Sequence, residues 1–437
     1  MKSIRFLLTS LTITAVLATQ AHAQFNFTTN SGAITITGYT GSGGDVVVPD
    51  TTNGYPVRTI APTAFQSSTT LTRVTIPDSV LSIGGGIGPG GEIGAFEGCT
   101  SLTNAIIGDG VTNIASFAFA HCTSLGTLRI GSNVTTIGIS AFLDCGLVSV
   151  TVPGSASHST VIGVYAFTGC TNLTNAVIGN GVINIAEYAY YRCFALNSVT
   201  IGTSVTNIGG GAFQNCIALS SVAIPPSVLN IGGFGDGTGS HGAFAGCTNL
   251  TNAFIGDGVT NIGYAAFYNC AALNSVTMGS SVRSIGNSAF WSCSNLTSVT
   301  IPSSVTNLGS AAFAYCTDLT SMYCEDNAPG LGSSVFLSDS NLTIYYLPGT
   351  TGWDQWTSPP PAVLWNPQPQ SPSVQANPLG FTITGTPNIP IAVAACTNPA
   401  NPTWLPLQTC TLTNGSIYFT DPDWTNHPTR FYRIRSP

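Results

Sequence analysis

The chain has 437 residues, of which 43% are hydrophobic and only 6% are charged, and its formal net charge is −7. This composition can form a folded core but lacks the surface charge of an ordinary globular enzyme, so Ser, Thr and Asn must keep the protein soluble. No basic cluster is recognised, which makes nucleic acids and anionic membrane surfaces poor candidate partners. After the first 23 residues no segment has the roughly 18 apolar residues that a membrane-spanning helix requires.

Residues 1–23 are predicted to be a signal peptide. Lys2 and Arg5 precede an apolar run, and the sequence AHA ends the segment immediately before Gln24, which is the pattern of a cleaved export signal. Removing this segment leaves 8 Lys and Arg residues against 17 Asp and Glu residues, a net charge of about −9. The mature chain is therefore expected to be secreted or to lie at the cell surface.

A repeat of about 23 residues fills the middle of the chain, from residue 63 to residue 346. Ten cysteines follow one another at steps of 23, 23, 25, 23, 23, 31, 23, 23 and 23 residues, and an aromatic residue stands three positions before each. The cysteines are Cys99, Cys122, Cys145, Cys170, Cys193, Cys216, Cys247, Cys270, Cys293 and Cys316. The aromatic residues are Phe96, Phe119, Phe142, Phe167, Tyr190, Phe213, Phe244, Phe267, Phe290 and Phe313. Phe65 and Phe336 extend the aromatic series, which predicts a solenoid of twelve coils.

Each coil is predicted to contain two short strands and one helical or 3₁₀ turn. In the unit AFWSCSNLTSVTIPSSVTNLGS the apolar residues alternate after Leu296, which is the spacing of a strand. The three-residue step from Phe290 to Cys293 suits a single helical or 3₁₀ turn, and Pro302 begins the turn between the two strands. No coil can bury its own apolar edge, so stacking at about 4.8 Å per coil is expected to provide a continuous core.

The motif AFxxCxxLxxVxIPxxVxxIG resembles the leucine-rich repeat subtype of BspA-like bacterial surface proteins. The resemblance implies a mainly β solenoid and a secreted or cell-surface protein that binds host or matrix proteins, polysaccharides or neighbouring cells. Residues 24–62 resemble the N-terminal β cap of such arrays, and the sequence NLTIYYLPGTTGWDQW resembles their closing segment. Because the open ends of a solenoid expose unpaired strand edges, both caps have a physical reason to exist.

The ten repeat cysteines are predicted to be buried free thiols that pack as small apolar residues. Equivalent positions in neighbouring coils have parallel Cβ directions about 4.8 Å apart, beyond the usual Cβ separation in a disulfide. The sequence has no CxxC motif, so neither a metal site nor a cofactor is expected. Cys396 and Cys410 flank the sequence TNPANPTWLPLQT like the two sides of a hairpin, and a disulfide between them is left open.

No catalytic constellation is recognised, and the protein is predicted not to be an enzyme. The five histidines are scattered, and His121 lies where other coils carry Ala, Asn or Tyr, which is typical of a solvent-facing turn position. Asp109 and Asp257 stand in the sequence IGDGV where a third coil has Asn180, which indicates turn chemistry rather than acid–base chemistry. Since a solenoid keeps distant coils apart, a triad assembled from remote residues is disfavoured.

A longer unit of three coils is repeated three times, starting at residues 98, 169 and 246. Each copy follows an irregular insert, GGGIGPGGEIG, PGSASHSTVIG or GGFGDGTGSHG, and such inserts are expected to lie on one face of the array. The first strand after each insert has Ile106, Val177 or Phe254 at its outward position, where most other coils have Thr. These three residues, about 14 Å apart, and Arg129 at the same position of another coil are candidate ligand contacts.

The alternative for these three positions is a bulge that turns the large side chain inward. The preceding inward residue, which is Val in most coils, is Ala105, Ala176 or Ala253 in these strands, so the core would have room for a larger neighbour. The sequence alone leaves both orientations open.

The chain changes in composition after Trp356. Residues 347–378 are interpreted as a closing segment and a linker, since seven prolines between positions 358 and 378 favour a stiff extended chain. Residues 379–437 alternate between apolar and polar residues and predict a small β module, with Trp404, Phe419 and Phe431 as core candidates.

These observations favour a monomeric, non-enzymatic extracellular binding or adhesion protein whose solenoid presents a protein- or glycan-interaction surface. The alternative is a structural spacer or cell-envelope scaffold without a specific ligand, and a glycan-active enzyme is the third candidate. Neither nucleic acid nor membrane insertion is expected.

Overall fold

The computed structural model describes residues 24–154, 158–234, 241–356, 360–370, 379–400, 403–427 and 429–435. The predicted signal peptide, residues 1–23, lies outside the described residues. The chain divides into two compact units. The first extends to Thr297 and adds Ser304–Leu319 and Gly330–Asp339; the second consists of Ser298–Ser303, Thr320–Pro329 and the residues from Ser340 onward.

The first unit is a solenoid in which two columns of short strands run side by side. Its strands are β1 (Phe25–Asn30), β2 (Ala33–Tyr39), β3 (Gly44–Val47), β4 (Thr51–Thr52), β5 (Tyr55–Ile60), β6 (Leu71–Ile76), β7 (Ser82–Ile83), β8 (Gly85–Gly88), β9 (Gly91–Gly94), β10 (Asn104–Ile107), β11 (Asn113–Ile114), β12 (Thr127–Arg129), β13 (Thr136–Ile137), β14 (Ser149–Val152), β15 (Thr160–Ile162), β16 (Asn175–Ile178), β17 (Val182–Ile185), β18 (Ser198–Ile201), β19 (Asn207–Ile208), β20 (Ser221–Ile224), β21 (Asn230–Ile231), β22 (Gly233–Phe234), β23 (His241–Gly242), β24 (Asn252–Ile255), β25 (Asn261–Ile262), β26 (Ser275–Thr277), β27 (Ser284–Ile285), β29 (Asn307–Leu308) and β31 (Gly330–Leu331).

One column is a single long sheet and the other is divided into three shorter sheets. The long sheet runs in the order β1-β2-β5-β7-β11-β13-β15-β17-β19-β21-β25-β27-β29-β31, with β4 beside β5, and it is parallel from β2 onward except at β4. The three shorter sheets have the orders β3-β6-β10-β12, β14-β16-β18 and β20-β24-β26. All three are parallel.

The 23-residue period is the register of the parallel strands. Ile114 pairs with Ile137, and Ile285 pairs with Leu308, so each inward residue lies beside its equivalent in the next coil. The aromatic residues follow the same rule: from Phe65 to Phe336 neighbouring ring centroids are 4.7 to 6.2 Å apart and the ring planes are tilted by 20° or less. The predicted mainly β solenoid with a 23-residue period is confirmed.

The aromatic column continues beyond the repeats. The rings of Phe25 and Tyr39 lie 6.1 Å and 5.1 Å from the ring of Phe65, and both residues belong to the first two strands. The N-terminal strands therefore cover the first repeat with aromatic side chains as well as with backbone hydrogen bonds. The sequence did not indicate the aromatic contact.

The predicted helical turn at each aromatic residue is a series of tight turns with no continuous helix. In one coil the N–H groups of Ala289, Trp291 and Cys293 bond to carbonyls three residues earlier, as in a 3₁₀ turn. The N–H groups between them, those of Ser288, Phe290 and Ser292, donate to carbonyls of Ser310, Ala312 and Ala314 in the next coil. This alternation requires left-handed backbone at Ser288 (φ 55°) and Ser292 (φ 57°), which a helix does not contain.

The left-handed position after each aromatic residue provides a stability test. Ser292→Gly is expected to leave the free energy of unfolding unchanged or to raise it by up to about 1 kcal/mol, because glycine has no Cβ to strain at φ 57°. Ser292→Val is expected to lower it by about 1 to 2 kcal/mol, since a β-branched residue is strongly disfavoured there. Urea denaturation of both variants measures the difference, and equal values for Gly and Val would contradict the left-handed backbone.

The second unit contains one parallel sheet and a small antiparallel sandwich. Its elements are β28 (Ser298–Ile301), β30 (Ser321–Cys324), β32 (Thr343–Tyr346), a 3₁₀ helix (Trp353–Gln355), β33 (Ala362–Leu364), β34 (Gln368–Pro369), β35 (Leu379–Thr384), β36 (Pro390–Cys396), β37 (Leu405–Thr411), β38 (Ser416–Asp421), a second 3₁₀ helix (Trp424–Asn426) and β39 (Phe431–Arg435). The parallel sheet has the order β28-β30-β32-β33, and the sandwich consists of the sheets β34-β35-β38 and β37-β36-β39.

The described part of the predicted linker belongs to these sheets. β33 pairs with β32, β34 pairs with β35, and Val363 and Trp365 pack against the core of the second unit. The extended-linker interpretation is therefore wrong for residues 360–370, because the prolines lie beside short strands whose apolar residues are partly buried. Residues 357–359 and 371–378 lie outside the described residues.

The core of the small β module differs in part from the prediction. Phe419 is 2% exposed and belongs to the core, whereas Phe431 is 41% exposed and Trp404 is half-buried under the guanidinium of Arg433. In β39 the inward residues are Tyr432 and Ile434, so Phe431 faces the opposite side of the strand. Among the described residues, no helix is long and apolar enough to span a bilayer.

Candidate interaction surface

The outward residues of the three shorter sheets form one surface of the first unit, the outer strand face. It consists of Thr75, Ile106, Arg129, Thr151, Val177, Thr200, Ala223, Phe254 and Thr277. Phe254 is 53% exposed, Ile106 and Val177 are half-buried, and Arg129 is exposed. Four of these nine residues are Thr, and a large apolar side chain recurs in every third coil.

The inward bulge considered for the three apolar positions is not formed. Ala105 and Ala176 are fully buried and Ala253 is 3% exposed, so the alanine of each pair is the core residue. β10, β16 and β24 pair with their neighbours without any register shift, which leaves Ile106, Val177 and Phe254 on the outer side.

Each apolar residue lies on an internal strand of its own sheet. Ile106 is flanked by Thr75 and Arg129, and Val177 by Thr151 and Thr200. Phe254 is flanked by Ala223 and Thr277. The neighbours are small or flexible, so the apolar side chains are accessible from the outside, and equivalent points recur about every 14 Å.

The edge of the outer strand face is fixed by the same hydrogen bond in all three copies. The hydroxyls of Thr103, Thr174 and Thr251, each three residues before the apolar residue, donate to a carbonyl of the preceding coil at 3.0, 3.0 and 2.9 Å. These bonds join each strand of the three copies to the preceding coil at the edge of the face.

Arg129 is held by an ion pair and is not a free cation. Its Nη2 lies 2.8 Å from Oδ2 of Asp109, and its Nη1 donates to the carbonyl of Ile107 at 2.9 Å. The backbone N–H of Ser132, and secondly the Arg129 guanidinium, lower the pKa of Asp109 below its usual value. Both side chains are about half exposed, so the pair orients Arg129 but adds little stability.

The acidic and amide residues of the IGDGV-like turns bond to the backbone of the next coil. Oδ1 of Asp109 accepts the N–H of Ser132, and Oδ1 of Asp257 accepts the N–H of Ser280 at 2.9 Å. Asn180 accepts the N–H of Thr203 in the same way. These contacts account for Asp and Asn at this position as turn residues that join one coil to the next.

The ten repeat cysteines lie in the core as free thiols, each 2% exposed or less. Each Sγ–H donates to the carbonyl of the aromatic residue in the preceding coil at 3.1 to 3.3 Å. Burial raises the pKa of Cys99, Cys170 and Cys247 to about 12, so the thiols stay protonated and able to donate.

The sequence predicts the cysteines as small apolar core residues and does not predict their thiol hydrogen bonds. The signal is the constancy of Cys at ten positions where Ala or Val would pack equally well. In the part of the chain that the structure describes, no group of three or more His, Cys, Asp or Glu side chains could hold a metal ion.

The disulfide left open between Cys396 and Cys410 is absent. Both are free, although they do lie on the two strands of a hairpin, β36 and β37. Cys410 is opposite Ile391, five residues along β36 from Cys396, which corresponds to about 17 Å along the strand. The pairing register therefore separates the two sulfur atoms.

The sequence predicts that the three inserts lie on one face of the array, but in the structure they do not share one edge of the solenoid. The first forms the antiparallel hairpin β8–β9 between the long sheet and Phe96, and the third forms β22–β23 between the long sheet and Phe244. The second lies between β14 and β15, at the opposite end of a strand of the long sheet. Residues 155–157 and 235–240 of these inserts lie outside the described residues.

His121 connects the first insert to the coils. Its Nε2 is 3.2 Å from Oε2 of Glu92 in β9, and its Nδ1 is 3.4 Å from Oδ2 of Asp144. The side chain is 39% exposed, in agreement with a solvent-facing turn position.

The comparison with known proteins identifies the repeats. The family model described as a BspA-type leucine-rich repeat region of six copies matches residues 50–158, 155–234 and 239–352, which is more than half of the chain. None of the curated proteins matches the chain.

Three solved structures are similar over most of their own length. A leucine-rich repeat protein from Bacteroides ovatus is 23% identical with a TM-score of 0.44, and the match covers 78% of this chain and 98% of that one. A leucine-rich cell surface protein from Faecalibacterium prausnitzii is 25% identical with a TM-score of 0.34, covering 76% and 95%. A leucine-rich repeat protein from T. pallidum is 27% identical with a TM-score of 0.34, covering 57% and 88%.

Proposed function

Because this chain belongs to the BspA-type leucine-rich repeat family, we propose that it is an extracellular, non-enzymatic protein that binds a protein partner through the outer strand face. The export-type N-terminal sequence supports the location, and the resemblance to BspA-like surface proteins implies a binding role. A solenoid gives such a partner an extended contact area, since each coil adds one strand to the same face.

The observation that carries this proposal is the exposure of Phe254 over a buried alanine. A phenylalanine that is 53% exposed keeps a large apolar area in contact with water in the free protein. A partner that covers the ring removes this area from water, and the hydrophobic free energy of that burial then favours binding. Ile106 and Val177 occupy the equivalent positions of the other two copies, so a partner that spans about 28 Å would meet three apolar contacts.

The hydroxyl groups around these residues suit the rim of a protein interface. Thr and Ser side chains hydrogen-bond to backbone or side-chain groups of many partners, whereas the apolar residues supply most of the binding energy. Arg129 is the charged residue among those that form this face, and its charge is already paired with Asp109.

The test is a triple variant in which Ile106, Val177 and Phe254 are each changed to Thr. The mature protein and the variant are titrated against immobilised matrix proteins and against glycans. Wild type is expected to bind at least one matrix protein saturably, and the variant is expected to bind it at least about tenfold more weakly, which corresponds to about 1.4 kcal/mol. The melting temperature should be unchanged, because Thr already occupies this position in neighbouring coils.

A matched control changes three comparably exposed aliphatic residues that lie off the outer strand face. Ile139 (49% exposed), Ile217 (42%) and Leu229 (49%) are each replaced by Thr, and affinity should stay at the wild-type level. Equal losses in both triple variants would contradict a specific role for the outer strand face. Absence of saturable binding to any protein would favour the structural spacer, and binding to glycans alone would favour a glycan receptor.

A further inference from the structure

The sandwich of the second unit has an open groove between its two sheets. The groove has a volume of about 590 Å³ and lies between Pro369 and Leu379 on one sheet and β39 on the other. Leu379, Phe381, Phe431, Tyr432 and Ile434 make its wall mainly apolar, and Gln370 and Arg430 are its polar members. The outer strand face contributes nothing to this groove, and neither the fold nor the proposed function makes use of it.

A single buried cation lines the groove. The side chain of Arg430 is only 7% exposed, and its Nη1 lies 2.8 Å from Oδ2 of Asp421, which is 3% exposed. The same carboxylate oxygen accepts the hydroxyl of Tyr432 at 2.7 Å, and its Oδ1 accepts the N–H of Asp423 at 3.0 Å. Asp421 is thus well supplied with donors, so it does not depend on Arg430 for a partner.

Arg430 itself has donors to spare. A guanidinium has five N–H groups, and its Nη1 is buried without a hydrogen bond of good geometry, although the ion pair with Asp421 is close. A buried donor without an acceptor is costly, and a carboxylate that enters the groove could accept two N–H groups of the guanidinium at once. The groove thus offers an anion two things that exposed surface arginines do not: a desolvated cation and apolar walls around it.

The strand that follows Arg430 is suited to an extended peptide. β39 pairs with β36 only, among the described residues, so half of its backbone N–H and C=O groups point away from that sheet.

Arg430, Arg433 and Arg435 are three of the ten Lys and Arg residues of the sequence, so cations are concentrated here although only 6% of all residues are charged. A sugar acid would bring hydroxyl groups against the apolar wall without partners, which is unfavourable.

We propose that this groove binds the carboxylate end of an extended apolar peptide, with the carboxylate on Arg430 and the apolar side chains against Phe381 and Ile434. The peptide backbone lies along β39 as an added strand, in the manner of other peptides that bind to sheet edges. This site is independent of the outer strand face, so the two proposals stand or fall separately.

The test uses N-acetyl-leucyl-phenylalanine with a free carboxylate and the same dipeptide as its amide, each titrated into the full mature chain by calorimetry. The acid is expected to bind saturably and at least about tenfold more tightly than the amide. The double variant Asp421→Asn with Arg430→Gln removes the charged pair without leaving one charge buried alone, and it should bind the acid no better than the amide. Arg433→Gln is the control for a general effect of charge: it removes one positive charge from β39, outside the groove, and should keep wild-type affinity.

A second groove variant tests the proposal independently, in case the double variant does not fold. Leu379→Glu places a like charge on the half-buried groove wall, so it should weaken binding of the acid more than binding of the amide, which loses only the apolar contact. No saturable binding of the acid, equal affinity for acid and amide, or full affinity in both groove variants would overturn the proposal. Displacement of the dipeptide by glucuronate at comparable concentration would overturn the peptide as occupant in favour of a sugar acid.

Discussion

Replacing Phe290 by alanine is expected to lower the free energy of unfolding by about 3 to 5 kcal/mol. The side chain is fully buried, and its ring is stacked between those of Phe267 and Phe313 with centroid distances of 5.3 and 5.2 Å. Truncation therefore removes the contacts of one ring with two others and leaves a cavity that cannot collapse, because the backbone of each coil is fixed by hydrogen bonds to both neighbours.

The same substitution at Phe336 is the internal control. This residue is half-buried, and its ring centroid lies 6.2 Å from that of Phe313, so Phe336→Ala is expected to cost about 1 to 2 kcal/mol. Chemical denaturation followed by circular dichroism measures both values. Equal losses at the two positions would mean that stability does not depend on stacking within the aromatic column.

The architecture could be predicted from the sequence because one spacing fixes the contacts. In a parallel solenoid the equivalent residues of neighbouring coils must lie side by side, so the recurrence of Cys and Phe at 23 residues sets the strand register, as in the pairing of Asn184 with Asn207. Inward and outward positions then follow from the alternation of a strand.

The turn at each aromatic residue could not be predicted in detail from the same pattern. A step of three residues fits a 3₁₀ helix, yet Ser288 and Ser292 adopt positive φ so that every second N–H reaches the next coil. That preference comes from contacts between coils, and a single coil gives no local signal of it. Gly98, Gly169 and Gly246 occupy the equivalent left-handed position in other coils, and they were the available indication.

The second unit was less predictable because its pairings are not repeated. Seven prolines suggested an extended linker, but short strands such as Ala362–Leu364 need only a few residues and an exposed edge to pair. The choice of Tyr432 rather than Phe431 as the core residue depends on the pairing of β39 with β36, which composition does not determine. The buried pair of Arg430 and Asp421 likewise joins residues whose proximity depends on the fold of the sandwich.

The end of the thiol column suggests a second large effect. Asp339 stands three residues after Phe336, at the position that cysteine occupies in the ten preceding coils. The residue is only 5% exposed, and neither carboxyl oxygen has a hydrogen-bond partner of good geometry. Burial raises the pKa of Asp339 to about 7, although the Cys316 backbone partly opposes this shift. At this one coil the column of neutral thiol donors is replaced by a group that ionises near neutral pH.

The direction of the pH effect follows from this shift. Since the pKa in the folded protein is above the ordinary value of 3.8, the folded state binds more protons than the unfolded state between about pH 4 and pH 7. The stabilising contribution of protonated Asp339 is complete below about pH 4 and is lost as the pH rises through about 7. The expected loss is about 2 to 4 kcal/mol, because one pKa unit corresponds to about 1.4 kcal/mol and the side chain keeps slight access to water.

Asp339→Cys is expected to remove this dependence and to stabilise the protein at pH 8 by about 2 kcal/mol. A thiol at this position stays neutral and can donate to the carbonyl of Phe313, as the thiols of the preceding coils do to the aromatic residue before them. Asp339→Asn should also abolish the pH dependence, since it is neutral, but it should gain less because its amide needs more partners than a thiol. Asp318→Asn, at an exposed position in the preceding coil, should leave the pH profile unchanged.

Urea denaturation at pH 4.5, 6 and 8, together with amide hydrogen exchange in Gly330–Leu331, measures the effect both globally and in the last coil of the first unit. The wild-type protein should exchange faster in this strand as the pH rises, after correction for the intrinsic rate, whereas Asp339→Cys should not. If wild type and Asp339→Cys lose stability in parallel between pH 4.5 and 8, the titrating group lies elsewhere. Because Asp339 closes a column of ten identical hydrogen-bond donors, the variant also tests whether the cysteines are selected for their thiol hydrogen bond rather than for their size.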